Sequence, residues 1–515
     1  MARPQVSRLL GSYKLRLALA TLNFILCVAG LVIIIGNPLS TTYHENFGIA
    51  VDAGSSHTTM YLYSVSKIAR NKTHLTRQIE SCQVDGEGLA TYSKYPKQAP
   101  VPFYKCTEQL TKKIPLPLRH ATPLHIVGTA GMRLLNSSQP QQSQEIQKEL
   151  QTYLQSHTGL GGSRRVIILS GESESLHGWI AVNYLTETLT RYSLAQYRLT
   201  RPYFEGPRGM FDMGGASTQV AFAVEGNHNS QVLPVTLFGK EYHVAASSYL
   251  CYGQDQFRQI ILGNMYMESN GSSVSFPCFH EGYTDNVTLL PQTENPCSNL
   301  ANKTILHVTG TGNVTQCREL LSSQLNLTGT DRPPICQQNT TILTNLTYYA
   351  VSGYYYTFDF LNLTKVDNAD TVREKIDMFC LRNWTDVSSD YPKQLKWLYN
   401  YCLSANYIHI LLTQCYGFDN STWKNLNFVH KLEGTEVGWA LGYMLNLTNS
   451  MDVQTGYIST WGTPILLFSL CGILVCVYML LVPISGILTK QIKNIKIYVI
   501  NWTPHQQPPR YTHTF

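Results

Sequence analysis

The chain is short of charge. Only 14% of its 515 residues are Asp, Glu, Lys or Arg, against 43% hydrophobic, so it can bury one or two sizeable cores. The net charge of +6 is modest for this length and forms no basic block, which gives nucleic-acid binding no footing. Pro and Gly, 23 and 36 residues, are too few for a disordered or fibrous chain. No Cys-x-x-Cys pair or His/Cys cluster has zinc spacing, so no structural zinc site is read. The Walker lysine motif is missing too, which argues against a kinase of that type.

What is present centres on Phe47 to Tyr63, FGIAVDAGSSHTTMYLY. An apolar run leads into Asp52, then the small-residue turn Ala53-Gly54-Ser55-Ser56, then a second β-prone run from Met60. This predicts a β-hairpin with a carboxylate at its entrance. Its turn offers amides and hydroxyls that can approach a phosphate closely. At Met210 the pattern returns as MFDMGGASTQVAF, with Asp212 before Gly214-Gly215-Ala216-Ser217. The repeat predicts two similar lobes sharing a cleft, with Asp52 and Asp212 facing a metal between them.

Two apolar runs flank this pair. Leu17 to Gly36 is interrupted only by Thr21 and Asn23, and Pro464 to Leu488 carries no charge. Each is long enough to cross a bilayer as a helix. The first run is too long for a signal-peptide core and lacks a small-x-small cleavage site. Arg3, Arg8, Lys14 and Arg16 precede it, and Lys490, Lys493 and Lys496 follow the second. The positive-inside rule then places both termini in the cytoplasm and the intervening chain across the membrane. Between the runs lie thirteen Asn-x-Ser/Thr acceptors, dense from Asn270 to Asn383, as expected of a glycosylated lumenal or extracellular surface. Ten of the 13 Cys lie outside the runs, an even number that suggests disulfides.

Further along, Leu124 to Val127 reads as a buried strand ending in Gly128-Thr129-Ala130-Gly131 before a helix, a place where α/β sheets bind ligands. Val166 to Leu169 repeats the arrangement and runs into Glu172 and Glu174. Either carboxylate stands where a general base meets a water, or where a helix dipole favours an exposed acid. Residues 254–347 read as a cysteine-stapled, loop-rich insertion. The aromatic stretch from Tyr348 to Leu361 reads as core, or as rings stacking on a base.

The segments DAGSSHT, GTAGMR, GESESLHGWIAVNYL, DMGGASTQ and GTEVGWALGYMLNLTN together resemble the signature regions of the ecto-nucleoside triphosphate diphosphohydrolases, or ecto-apyrases. The resemblance implies an α/β fold of two RNase H-like lobes, similar to the actin and sugar-kinase superfamily, flanked by the two transmembrane helices. It implies a cytoplasmic segment 1–16, a span 17–36, lobe I from 42–170 plus 435–462, lobe II from 171–434, a span 464–488 and a cytoplasmic tail 489–515. It implies hydrolysis of terminal phosphates of extracellular ATP, ADP, UTP and UDP, controlling purinergic signalling at the plasma membrane. Asp52 and Asp212 would hold Ca2+ or Mg2+. Ser55, Ser56, His57, Thr129, Ala130, Gly214, Gly215 and Ala216 would bind phosphates. Glu174 would be the catalytic base, with Ser217 and Gln219 positioning the water. Tyr354, Tyr355 or Tyr356 would stack on the base, with Tyr416 as a further wall. The lipid bilayer, the nucleotides and a second copy of the chain are the implied partners.

The resemblance also implies the disulfides Cys82–Cys106, Cys251–Cys297, Cys278–Cys317 and Cys380–Cys402. Cys336 and Cys415 are left over, joined to each other or free, where Asp331 stands near the place of a usual partner. The family's Gly-x-Glu-Glu-Gly reads Gly171-Glu172-Ser173-Glu174-Ser175 here, and its Arg-Gly-Tyr reads Gln414-Cys415-Tyr416. Two other readings stand beside the surface hydrolase: a lumenal nucleoside diphosphatase of the secretory pathway, and a nucleotide-binding ectodomain without turnover.

Overall fold

A computed structural model describes residues 45–449 apart from 71, 190–205, 226–231, 270 and 338–342, together with 21, 22, 24, 25, 472–474 and 477. The chain divides into two units, Glu45–Val453 and the two flanking segments Met1–His44 with Gln454–Phe515. The apolar runs 17–36 and 464–488 lie outside the described residues except for a few helical positions, among them the exposed Leu22, Phe24, Ile25, Leu474 and Val477. Among the described residues no helix is long and apolar enough to cross a membrane. The tails 1–16 and 489–515 also lie outside the described residues.

The central unit is mixed α/β and carries two large sheets of the same design. Strands β1 (Glu45–Ala53), β2 (Thr58–Arg70), β3 (Thr73–Val84), β4 (Leu124–Gly128) and β5 (Arg164–Ile168) form the first, in the order β3-β2-β1-β4-β5. β6 (Gly209–Met213), β7 (Ser217–Ala223), β8 (Val232–Leu237) and β9 (Lys240–Leu250) begin the second. After β10 (Ser273–Phe276), β11 (Thr284–Leu289) and β12 (Thr304–Gly310), which form a separate three-stranded sheet, the second sheet is completed by β13 (Tyr348–Ser352) and β14 (Leu426–Phe428). Its order is β14-β13-β6-β7-β9-β8.

The two orders superimpose, with β1, β2, β3, β4 and β5 answering to β6, β7, β9, β13 and β14. In each, the first three strands are antiparallel and the last two run parallel to the first. Even the register repeats. Asp52 faces Thr59 on one neighbour and Val127 on the other, and Asp212 faces Gln219 and Val351. The repeated sequence pattern is therefore the visible part of a repeated fold, and β8 is an added edge strand.

Each sheet has its own core. Ile49, Val51, Leu62, Ile126 and Leu150 are fully buried in the first, and Phe211, Ile261, Leu306, Tyr348 and Phe358 in the second. Helices α1 (Ala130–Ser138) and α2 (Gly171–Leu185) follow β4 and β5 directly. Helix α3 (Gln254–Ser269) follows β9, and α4 (Gly353–Phe360) follows β13. The short α5 (Leu395–Leu398) precedes the last helix, α6 (Trp439–Thr448).

α6 packs on β1 and β3, α2 packs on β6, β7 and β9, and the two helices pack on each other. A Cβ on Gly442 would lie 1.9 Å from the carbonyl oxygen of His177, so only glycine permits this helix contact. The small residues of the late helix thus serve a helix–helix seam as well as the sheet.

Between its turns the segment 254–347 holds α3, three strands and the helix Val314–Gln324, and the disulfides of Cys278, Cys297, Cys317 and Cys336 staple it. Within it β12 alternates, with Leu306 and Val308 inward. Asn446 is a poor glycan acceptor in the folded chain, since its amide lies 3.4 Å from His177 Nε2 and Thr448 is buried. Asn286, Asn302, Asn313, Asn326, Asn345, Asn362, Asn383 and Asn420 are exposed.

All ten cysteines of the central unit pair, and the open question of Cys336 and Cys415 is answered by a fifth disulfide between them. It ties the turn Pro334–Cys336 to the π-helical turn Leu411–Cys415, across 79 residues of chain. Replacing both cysteines by serine is expected to cost about 2–5 kcal/mol of stability. A thermal melt of the double variant that superimposes on the wild type would contradict this.

Candidate active site

The carboxyl ends of β1, β4, β6 and β13 open on one cleft of about 740 Å³. Both hairpin turns reach it. A Cβ on Gly215 would sit 3.0 Å from Ser55 Oγ and 2.6 Å from an Asp255 oxygen. The second turn therefore needs glycine to admit the first beside it. Among the proposed site residues, Asp52, Ser55, Ser56, His57, Thr129, Ala130, Glu174, Asp212, Gly214, Gly215, Ala216, Ser217, Gln219 and Tyr356 all line this cleft.

The remaining tyrosines do not. Tyr354 and Tyr416 are fully buried, and Tyr416 stacks on Phe211 with centroids 5.0 Å apart. They are core residues, so neither presents a ring to a base. Tyr355 packs beside His430 outside the cleft lining. Tyr356 is half exposed and keeps one face toward the cleft.

Glu174 owes its place to helix α2. Ser170 caps this helix by accepting from Ser173 N–H at 3.1 Å, which sets Glu174 in its first turn. The departure at Ser175 is structural: it is buried and donates to the Ser247 carbonyl of β9 at 2.7 Å. Arg133, on the first turn of α1, reaches Glu174 Oε2 at 2.7 Å, the Leu169 carbonyl at 3.0 Å and Ser217 Oγ at 3.2 Å. Gln219 Nε2 donates to Ser217 Oγ at 2.6 Å and to Ser248 Oγ at 3.0 Å. Both acceptor positions of the Ser217 oxygen are thus taken, and its own proton is left to donate.

Charge is strained in this site. Burial raises the Glu174 carboxyl to about 7, Arg133 opposes the rise, and Asp212 adds to it. Asp52 is held well above the carboxylate range by burial, then by Glu174 and Asp212, with Trp439 opposing through a hydrogen bond. Asp212 is raised by burial and eased by Ser352 and the Met213 backbone. Ser352 holds φ at +55°, a costly conformation for a residue with a side chain.

Buried carboxylates that repel each other are a poor structural device and a good cation site. Oxygen-only donors suit a hard divalent ion. Among the described residues no three His, Cys, Asp or Glu gather closely enough to ligate a metal by themselves. Asp52 and Asp212 are a donor set that suits a hard divalent cation.

Residues 39–460 match the model of the GDA1/CD39 (nucleoside phosphatase) family. The chain belongs to that family. Over 426 residues this GDA1/CD39 protein is 36% identical to ectonucleoside triphosphate diphosphohydrolase 8 of Rattus norvegicus, covering 79% of this chain and 83% of that protein. To ectonucleoside triphosphate diphosphohydrolase 2 of the same species it is 33% identical over 451 residues, covering 82% and 88%. Among solved structures it resembles nucleoside triphosphate hydrolases from Neospora caninum at a TM-score of 0.57 and 12% identity, covering 81% of this chain and 95% of that one. That likeness shows the fold, which is the mixed α/β, actin-like one.

Sequence reasoning passed over Arg133, Ser248, Ser352 and Trp439. Arg133 stands in the quoted GTAGMR segment, but only the folded chain shows that the turns after β4 and β5 lie side by side. Trp439 and Ser352 reach their carboxylates from remote segments and leave no local signal.

Proposed function

We propose that this GDA1/CD39 protein hydrolyses the terminal phosphate of nucleoside tri- and diphosphates by direct attack of water in the cleft. The observation that carries this is the buried set Glu174–Arg133–Ser217–Gln219 beside Asp52 and Asp212. The relatives' names, as triphosphate diphosphohydrolases, support the same reading.

In this reading the turns at Ser55-Ser56-His57, Thr129-Ala130 and Gly214-Gly215-Ala216 cradle the phosphates through backbone N–H groups and hydroxyls. Ser217 donates its proton to the attacking water or to a phosphate oxygen, and Gln219 and Arg133 hold that hydroxyl in place. Glu174 takes a proton from the water as its oxygen bonds to the terminal phosphorus and the bridging P–O bond breaks. Asp52 and Asp212 would hold Ca2+ or Mg2+, which when bound would neutralise phosphate charge. Tyr356 is the ring offered to the base.

The proposed layout keeps lobe I at 42–170 plus 435–462 and lobe II at 171–434. The runs 17–36 and 464–488 anchor a glycosylated, outward-facing catalytic unit at the plasma membrane. Phosphate release from ATP or ADP added to intact expressing cells, with Ca2+ present and lost on chelation, tests this. Release seen only after permeabilisation would place the enzyme in the secretory lumen, and none in either case would leave a binding ectodomain.

The carboxyl at Glu174 must be ionised to accept a proton, and burial raises it to about 7. The expected kcat/KM therefore climbs as pH passes through about 7. Arg133 holds this carboxyl down, so Arg133→Met is expected to move the climb to higher pH. Loss of positioning should also lower kcat by about a hundredfold. A lowered rate with an unmoved pH profile would leave Arg133 a purely structural role.

A further inference from the structure

Among the described residues the cleft is lined by six acids and one lysine. Lys396 lies on α5, and its side chain lines the same cleft as both hairpin turns. Its ammonium stands 4.6 Å from the centroid of the neighbouring Trp397 ring, which steadies an otherwise free side chain. Among the described residues Lys396 makes no ion pair, whereas three of the acids lining the cleft do. Glu174 pairs with Arg133, Asp255 with Arg258, and Glu436 with Lys431. Lys396 faces the tip of the first hairpin, where its charge joins burial in lowering the pKa of His57.

Depth gives this cation its meaning. Glu174, Ser217 and Gln219 are buried at the cleft floor, while Ser56, His57 and Lys396 are exposed at its rim. A polyphosphate whose terminal group is attacked at the floor must run outward past that rim. In a triphosphate, the phosphate farthest from the attack would be the one nearest the rim. In a diphosphate, the sugar has already taken that place.

We infer that Lys396 binds the innermost phosphate of a nucleoside triphosphate and gives triphosphates an affinity advantage over diphosphates. This rests on the hydrolase reading of the cleft. The base plays no part in the contact, so ATP and UTP feel it equally.

The test compares full-length wild type, Lys396→Met and Lys396→Arg in their membrane. The expected result for Lys396→Met is a KM about tenfold higher for ATP and for UTP, the loss of a charge-assisted hydrogen bond. The KM for ADP and the kcat for all three should stay at wild-type values, and Lys396→Arg should restore the KM. Inorganic tripolyphosphate, which has no base, should lose about the same factor as a competitive inhibitor. Equal KM rises for ATP and ADP, a rise for ATP without UTP, or no change would each overturn the assignment. If the wild type releases no phosphate at all, the hydrolase reading fails by itself. Calorimetric binding of tripolyphosphate to wild type and Lys396→Met then still decides on Lys396, and equal affinities overturn it.

Discussion

Glu174→Gln is expected to lower the rate of phosphate release from ATP by about a thousandfold, the middle of the range for a general base. Gln keeps the shape and a hydrogen-bonding oxygen for Arg133, so α2 and its cap at Ser170 should stay in place. What it loses is the ability to take a proton. The KM should change little, because Glu174 acts on the water more than on the phosphates. Purified variant and wild type should melt alike, or the variant slightly higher, since a buried acid has become neutral. A variant that retains a tenth of the wild-type rate would remove Glu174 from the base's role.

Asp212→Asn and Asp52→Asn should separate stability from activity. Asp212 is buried and Asp52 half-buried; both are raised by burial, and Asp52 is raised further by its acidic neighbours. In the unfolded chain each ionises at its ordinary pKa; in the folded chain each holds its proton to higher pH. The folded state therefore binds more protons, and metal-free stability falls as pH rises through the raised values. At pH 7.5 without divalent ions, either asparagine variant should melt above the wild type. With saturating Mg2+ or Ca2+, the wild type should gain stability as ligand binding shifts its equilibrium, and the variants should gain less. Turnover should be nearly lost in both. If the metal-free wild type melts higher than Asp212→Asn, the carboxylates are not in conflict and the cation site loses its basis.

The hairpins were the most legible part because the pattern Asp-x-Gly-small-Ser is local. Everything needed to bring Asp52 or Asp212 to a turn lies within ten residues. The doubled topology followed from the same repeat. Rings were less legible. Tyr354, Tyr355, Tyr356 and Tyr416 look equivalent in sequence, yet exposure depends on partners far along the chain, such as Phe211 against Tyr416. Lys396 gave no signal, since a lysine on a short helix acquires meaning only when a phosphate turn folds opposite it.

The most direct test is a single turnover of ATP by the full-length protein in 18O-labelled water with a divalent cation, followed by mass analysis of both products. Water attacking the terminal phosphorus puts the label in inorganic phosphate and leaves ADP unlabelled, which is the result expected. Label in the nucleotide product, or no phosphate formed from ATP or ADP under any divalent condition, would contradict the assignment of the cleft.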